Sequence, residues 1–205
     1  MRICDVQALV LNGTFIVCWD ETLLRNSPPR GRLTIDANAL VLRAYIDNEF
    51  GLSFKFACYA MLQDEQVTLF ADDSGLGSFT IRIDESTDYS FIWLPHGVYN
   101  EDTLNLDRMV RECYQVNDFV QYSRTMDVLH PLRDRIQPDV IRVLLSAKDG
   151  EMEGVWCRIH DYINERMVVK LLHDTKRDFG LRTNALLNVD IVQHEGQAYV
   201  VWEQE

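Results

Sequence analysis

Residues 154–203 read GVWCRIHDYINERMVVKLLHDTKRDFGLRTNALLNVDIVQHEGQAYVVWE. The stretch holds four apolar, strand-length runs, each closed by polar or turn-forming residues. In the first, Val155, Cys157 and Ile159 share one face and Trp156, Arg158 and His160 the other, because side chains on a strand alternate with period two. Ile163-Asn164-Glu165-Arg166 is a polar turn into the second run, 167–172. A charged loop follows over 173–177, then Phe179-Gly180-Leu181 and the third run, 186–192. His194-Glu195-Gly196-Gln197 is a turn with glycine placed for positive φ, and 198–202 is the fourth run. Upstream, 140–145 is a further apolar run, ended by Ala147-Lys148-Asp149-Gly150. Five short strands with tight connections predict a small, strongly bent sheet or SH3-like barrel.

Working back to the start, Asn12-Gly13 sits between apolar runs and predicts a type I′ hairpin over 6–19. Both faces of that hairpin are apolar near the turn, which predicts a central position or cover on both sides. Asn26-Ser27-Pro28-Pro29-Arg30-Gly31 reads as a loop. Strand-length runs then recur at 39–46, 52–62, 67–71, 79–83 and 89–94, separated by acidic turns, which predicts an antiparallel sheet. Residues 40–45 also carry helical spacing, so strand and helix both remain open there. After Pro95 the pattern changes. Asn100 reads as an N-cap, with Glu101 and Asp102 in the first turn and Leu106, Met109, Val110 and Cys113 at helical spacing. Asn117-Asp118 begins a second helix through Tyr122 toward Met126. Pro131 and Pro138 bracket a charged link. The expected architecture is therefore α+β: a mostly antiparallel sheet with one or two helices (about 101–126) in 1–136, and a small SH3-like β domain in 138–205.

The 205 residues carry a net charge of −12. Residues 34–102 hold twelve acidic side chains against three basic ones, Arg43, Lys55 and Arg82. An excess of this sign repels phosphate backbones and argues against nucleic-acid binding, while it suits a basic protein partner. The five cysteines are an odd number without a C-x-x-C pair, and four lie in apolar runs, which predicts reduced, mostly buried thiols and a cytoplasmic protein. No signal peptide and no run near the roughly 20 apolar residues of a membrane span is present, so no membrane association is expected.

Motifs for chemistry are sparse. The five histidines show no H-x-x-x-H or H-E-x-x-H spacing, and Cys157 and His160 fall on opposite strand faces, so neither a metal site nor a cofactor is expected. His160-Asp161 and His173-Asp174 read as turn residues. Asp72-Asp73-Ser74-Gly75-Leu76-Gly77-Ser78 is followed by a strand rather than a helix and reads as a hairpin loop, not a phosphate cradle. No serine stands in a nucleophile context. The residues assigned to binding are Asp64, Glu65, Asp72 and Asp73 in the acidic turns, and Trp93 and Trp202 as accessible aromatics beside them. Trp19 and Trp156 are expected in or near the core.

Trp156, Leu171-Leu172, Gly180-Leu181 and Asp190-Ile191 occur in an order that resembles small bacterial domains of the YegJ-like group. This chain has Arg182 where that group has lysine, and Thr183-Asn184-Ala185 in place of its Gly-Asp turn. The resemblance covers the C-terminal quarter. It implies kinship with domains found among immunity proteins of polymorphic toxin systems. The leading expectation is thus a non-catalytic protein-binding protein, in its most specific form an immunity or inhibitor protein whose acidic face covers a basic toxin. A hydrolase-type enzyme with a site between the two domains, and a structural or scaffolding module, are the alternatives.

Overall fold

The computed structural model describes residues 1–26, 37–70, 79–84 and 87–204. The chain is α+β, rich in antiparallel strands, and divides into two compact units, Met1–Gln115 and Val116–Glu205.

The first unit is built on a sheet of six strands: β1 (Phe15–Cys18), β2 (Ala39–Asp47), β3 (Gly51–Gln63), β4 (Gln66–Phe70), β5 (Thr80–Arg82) and β6 (Phe91–Trp93). Their order is β4-β3-β2-β1-β6, with β5 pairing the first half of β3 and β4 its second half. Residues 39–46 are thus strand. Eight of the nine residues of β2 are buried, the near-continuous apolar run of a strand covered on both faces. A bulge at Ala57, where Val41 faces Cys58 and Leu42 faces Phe56, brings Ala57 and Cys58 into the same core. Helix α3 (Glu101–Cys113) adds Leu106 and Val110 to that core. Its start is fixed by a capping box, in which the Asn100 side chain accepts from the Thr103 N–H and the Thr103 hydroxyl accepts from the Asn100 N–H. Arg43, buried on β2, donates through Nε to Asp107 Oδ1 (2.7 Å) and through Nη1 to the Ala44 carbonyl (3.0 Å), which ties β2 to α3.

The expected hairpin over 6–19 is not formed. Residues Ala8–Leu11 make a single helical turn, α1, and a type II turn follows: Asn12 has φ −54° and ψ 127°, and only Gly13 is left-handed, at φ 83°. A type I′ turn requires positive φ at both central residues. The Thr14 N–H closes the turn on the Leu11 carbonyl at 3.0 Å. β1 is nonetheless central, as its two apolar faces predict, but its neighbours are β2 and β6. A short helix, α2 (Glu21–Asn26), starts under Asp20, whose carboxylate accepts from the N–H groups of Thr22 and Leu23. The loop expected over 26–31 lies largely outside the described residues, and the loop over 72–78 wholly so.

In the second unit all five expected strands form: β7 (Val140–Ser146), β8 (Met152–Ile163), β9 (Arg166–Leu171), β10 (Leu186–His194) and β11 (Gln197–Glu203). They close a barrel in the order β10-β11-β7-β8-β9. Four neighbours are antiparallel hairpin pairs. An up-and-down run of five strands leaves first and last pointing the same way, so closure is the parallel pair β11–β7, with Trp202 beside Leu145. The interior is filled by Ile141, Val143, Leu145, Cys157, Val169 and their neighbours.

The division between units falls at Gln115/Val116, some twenty residues before the expected boundary at 136–138. The segment between belongs to the barrel. Helix α4 (Asp118–Ser123) and a 3-10 turn (Asp127–Leu132) insert Val120 and Leu129 into the barrel core. The charged link is itself bonded to β7, through the Asp134 N–H to the Val140 carbonyl and a bridge from Arg133 to Ile141.

All five cysteines are free thiols. Cys18, Cys58 and Cys157 are buried, and burial pushes the Cys157 thiol up to about 12 and Cys18 up to about 11. Cys113, expected on the buried face of its helix, is exposed at the helix end. Among the described residues no helix is long and apolar enough to cross a membrane.

Candidate functional site

Of the residues assigned to binding from sequence, Asp64 and Glu65 lie toward one edge of the first unit's sheet and Trp93 at the other edge, while Trp202 belongs to the second unit. Asp64 and Glu65 are the two tip residues of the β3–β4 hairpin, with φ 48° and 66°, and Gln63 pairs Gln66 across them. They are exposed, and their geometry is that of a two-residue type I′ turn. Neither residue is glycine, so each carries the cost of a left-handed backbone. Glu65→Gly is therefore expected to stabilise the first unit by about 1 kcal/mol, read as slower amide exchange in β3 and β4. Asp72 and Asp73 lie outside the described residues. Trp93 is half-buried on β6, with its ring edge-on to the buried Phe91 at 5.3 Å. Trp202 is half-buried too, because it follows the parity of the inward Val200 and packs on the barrel core. The tryptophan that stands out is Trp156, 41% exposed on the outer face of β8.

What the structure does bring together is a groove of about 490 Å³ at the mouth of the barrel. Its construction starts at a bulge in β8. Ile159 faces Val169, but Asp161 faces Val168, so His160 is the extra residue. Past the bulge the parity of β8 is inverted. Tyr162 pairs with Met167, whose side chain lies in the core, and thus turns to the barrel's inner face instead of outward with Trp156 and Arg158. At this end the barrel is open, and Tyr162 stays 51% exposed.

Helix α4 forms the opposite wall. Asn117 does two things there. Its Oδ1 accepts from the Val120 N–H (2.8 Å) and caps the helix, while its Nδ2 donates to the carbonyl of the bulged His160 (2.7 Å). Both bonds bring the helix over the bulge, and Phe119 stacks on Tyr162 with centroids 5.1 Å apart and planes 25° apart. Tyr122, three residues on and so on the same helical face, also lines the groove and is 62% exposed. Met126 and Met167 complete the apolar wall.

The rim is charged. Arg166 grips Asp190 with two bonds, Nε to Oδ1 at 3.1 Å and Nη2 to Oδ2 at 2.5 Å. Both side chains are about half exposed, so the pair contributes at most about 1 kcal/mol. Glu165, at φ 65° in the type I′ turn between β8 and β9, has no ion-pair partner among the described residues. The rim therefore carries two carboxylates against one guanidinium that is already engaged.

None of the groove residues was assigned to binding by sequence. A polar turn at 163–166 was legible, but the bulge has no local signature, and strict alternation sends Tyr162 outward. The two His-Asp pairs are far apart in role. His160 is the bulge, and Asp174 holds a loop by accepting from the Thr183 N–H and hydroxyl, both at 2.8 Å. Cys157 is inside the barrel and His160 exposed, on opposite faces as alternation predicts. Among the described residues no group of three or more His, Cys, Asp or Glu is placed to hold a metal ion.

No protein-family model, no curated protein and no solved structure matches the chain. The functional reading therefore rests on the geometry and chemistry of the molecule itself.

Proposed function

We propose that this chain is a binding protein that recognises another protein, with the barrel-mouth groove as its contact centre. The observation that carries the reading is the groove itself, where two tyrosines stay more than half exposed over an apolar floor. Large amphipathic rings held on rigid elements are the side chains that dominate protein interfaces, because they bury much area at little entropic cost. The net charge of −12 favours a basic partner, since complementary charge speeds encounter and selects among partners. The most specific form is an immunity or inhibitor protein that covers a basic toxin, the idea implied by the YegJ-like resemblance. Five free thiols support placing it in the cytoplasm.

The test is capture from host lysate with tagged protein at low salt and at about 0.5 M, where the Debye length is only a few ångströms. One stoichiometric basic partner is expected, weakened by salt and lost with Tyr122→Ser, a change at a 62% exposed position that leaves the fold intact. A partner retained by that variant would remove the groove from the reading. The acidic-face version adds Asp64→Lys, Glu65→Lys, Asp72→Lys and Asp73→Lys together. Capture unchanged by the fourfold reversal would sink it.

A further inference from the structure

We infer that the groove is a seat for one organic cation, the ammonium or guanidinium of a Lys or Arg side chain presented by the partner. This deepens the reading above and rests on it. Three observations select the occupant. First, the apolar wall is aromatic where it is most open: Phe119 and Tyr162 stack, and Tyr122 stands beside them. The face of an aromatic ring is negative and attracts cations, most strongly where water is partly excluded. Second, Glu165 at the rim has no counter-charge among the described residues, so a cation seated on the rings meets a free carboxylate at the edge. Third, the one cation already at the rim is held out of competition. Arg166 is fixed to Asp190 in a two-bond fork.

Other occupants fit less well. An anion would face two carboxylates and the negative faces of the rings. A purely apolar side chain would gain from the floor but leave Glu165 unanswered. A long alkyl stem ending in a positive charge uses both, with the methylenes on Met126 and Met167 and the charge at the aromatic rim.

The experiment is a titration of the full chain followed by the NMR signals of the tyrosine rings and methionine methyls. The probes are the capped tripeptide Gly-Lys-Gly, the same peptide with norleucine for lysine, and tetramethylammonium chloride. The lysine peptide is expected to shift the Tyr122, Tyr162 and Met126 signals and to bind at least tenfold more tightly than the norleucine peptide. Tyr162→Leu keeps apolar bulk but removes the ring, and should weaken the lysine peptide about tenfold while leaving the norleucine peptide unchanged. Glu165→Gln should weaken it severalfold and flatten its salt dependence. If loss of the Phe119 stack unfolds Tyr162→Leu, then Tyr122→Leu makes the same comparison at a position that is 62% exposed.

Equal binding of the two peptides would overturn the inference, as would shifts confined to other parts of the chain. Tetramethylammonium binding without lysine-peptide binding would overturn the assignment to a side chain. Capture of a partner unimpaired by Tyr122→Leu and Glu165→Gln would remove the cation seat and leave protein binding standing. Lysine-peptide binding with no captured partner would do the reverse.

Discussion

Asp139→Ala is expected to destabilise the second unit by about 3–5 kcal/mol, the cost of removing one partner from a buried ion pair. Asp139 and Arg124 expose only 10% and 8% of their side chains. They meet in a fork, Nε to Oδ1 at 2.9 Å and Nη2 to Oδ2 at 2.6 Å. A second guanidinium lies near. Arg133 donates to the carbonyls of Ser123 and Pro138, and its Nε finds no partner among the described residues. Burial holds the Arg133 guanidinium below its ordinary value, Asp139 opposes that shift, and Arg124 adds to it. One carboxylate thus lies beside a buried and a half-buried guanidinium, and its loss leaves two like charges in a poorly solvated corner. Hydrogen exchange at the amides of β7 and β8 is the proper measure, because a chain of two units need not unfold in one step. The combined change Arg124→Met with Asp139→Leu should recover most of the loss, since an apolar pair of similar volume avoids the desolvation of both ions. A loss under 1 kcal/mol for Asp139→Ala would mean that water reaches the pair.

Phe179→Ala should cost a similar amount, about 3–5 kcal/mol, as expected for emptying a buried aromatic site. Phe179 is 3% exposed although it sits in the long connection between β9 and β10. Its ring meets Trp202 edge to face at 6.3 Å and fills one end of the barrel core. The loop is pinned on both sides of it. Glu153 accepts from the N–H groups of Lys176 and Arg177, at 2.9 and 3.0 Å, and Asp174 holds Thr183. These bonds act on a backbone that would otherwise have to be ordered by the ring alone. The variant is expected to shift Trp202 emission to the red and to release the protection of the Thr183 amide. The Thr183 N–H bond, followed by its hydroxyl, holds the Asp174 carboxyl below the ordinary carboxylate value. Its contribution is therefore fully present above that ordinary value and is lost as pH falls through the depressed one, so acid loosens this end of the loop only below the ordinary carboxylate range.

The barrel was legible because its strands are short, alternating and separated by turns whose chemistry is local. Glu195-Gly196 and Asn164-Glu165 both adopt the left-handed pairs that two-residue hairpins require. The capping of α3 by Asn100 was legible for the same reason. What failed was long-range. Asn12-Gly13 is compatible with two turn types, and the choice was made by β2 and β6, which supply β1 with partners on both edges. The unit boundary was hidden because Pro131 and Pro138 look like a linker, while Leu129 between helix and strand is wholly buried. The site was the least legible part. Charge density drew attention to Asp64 and Glu65, which the structure explains as turn residues. The aromatic groove depends on one unpaired residue in a ladder.

That residue gives the protein an unusual kind of dependence. His160 touches nothing in the groove through its ring, yet it sets the reading frame of everything after it on β8. Drawing it into the ladder opposite Val168 would restore unbroken alternation along the chain, carry Tyr162 to the outside of the barrel and bring Asp161 into its place. The groove would vanish with every one of its lining residues still encoded. A substitution at His160 leaves the frame alone and should be nearly silent. The site is therefore robust to changes of chemistry at His160 and depends on that residue staying out of the ladder, so variation among any relatives of this chain should be free in type at that position.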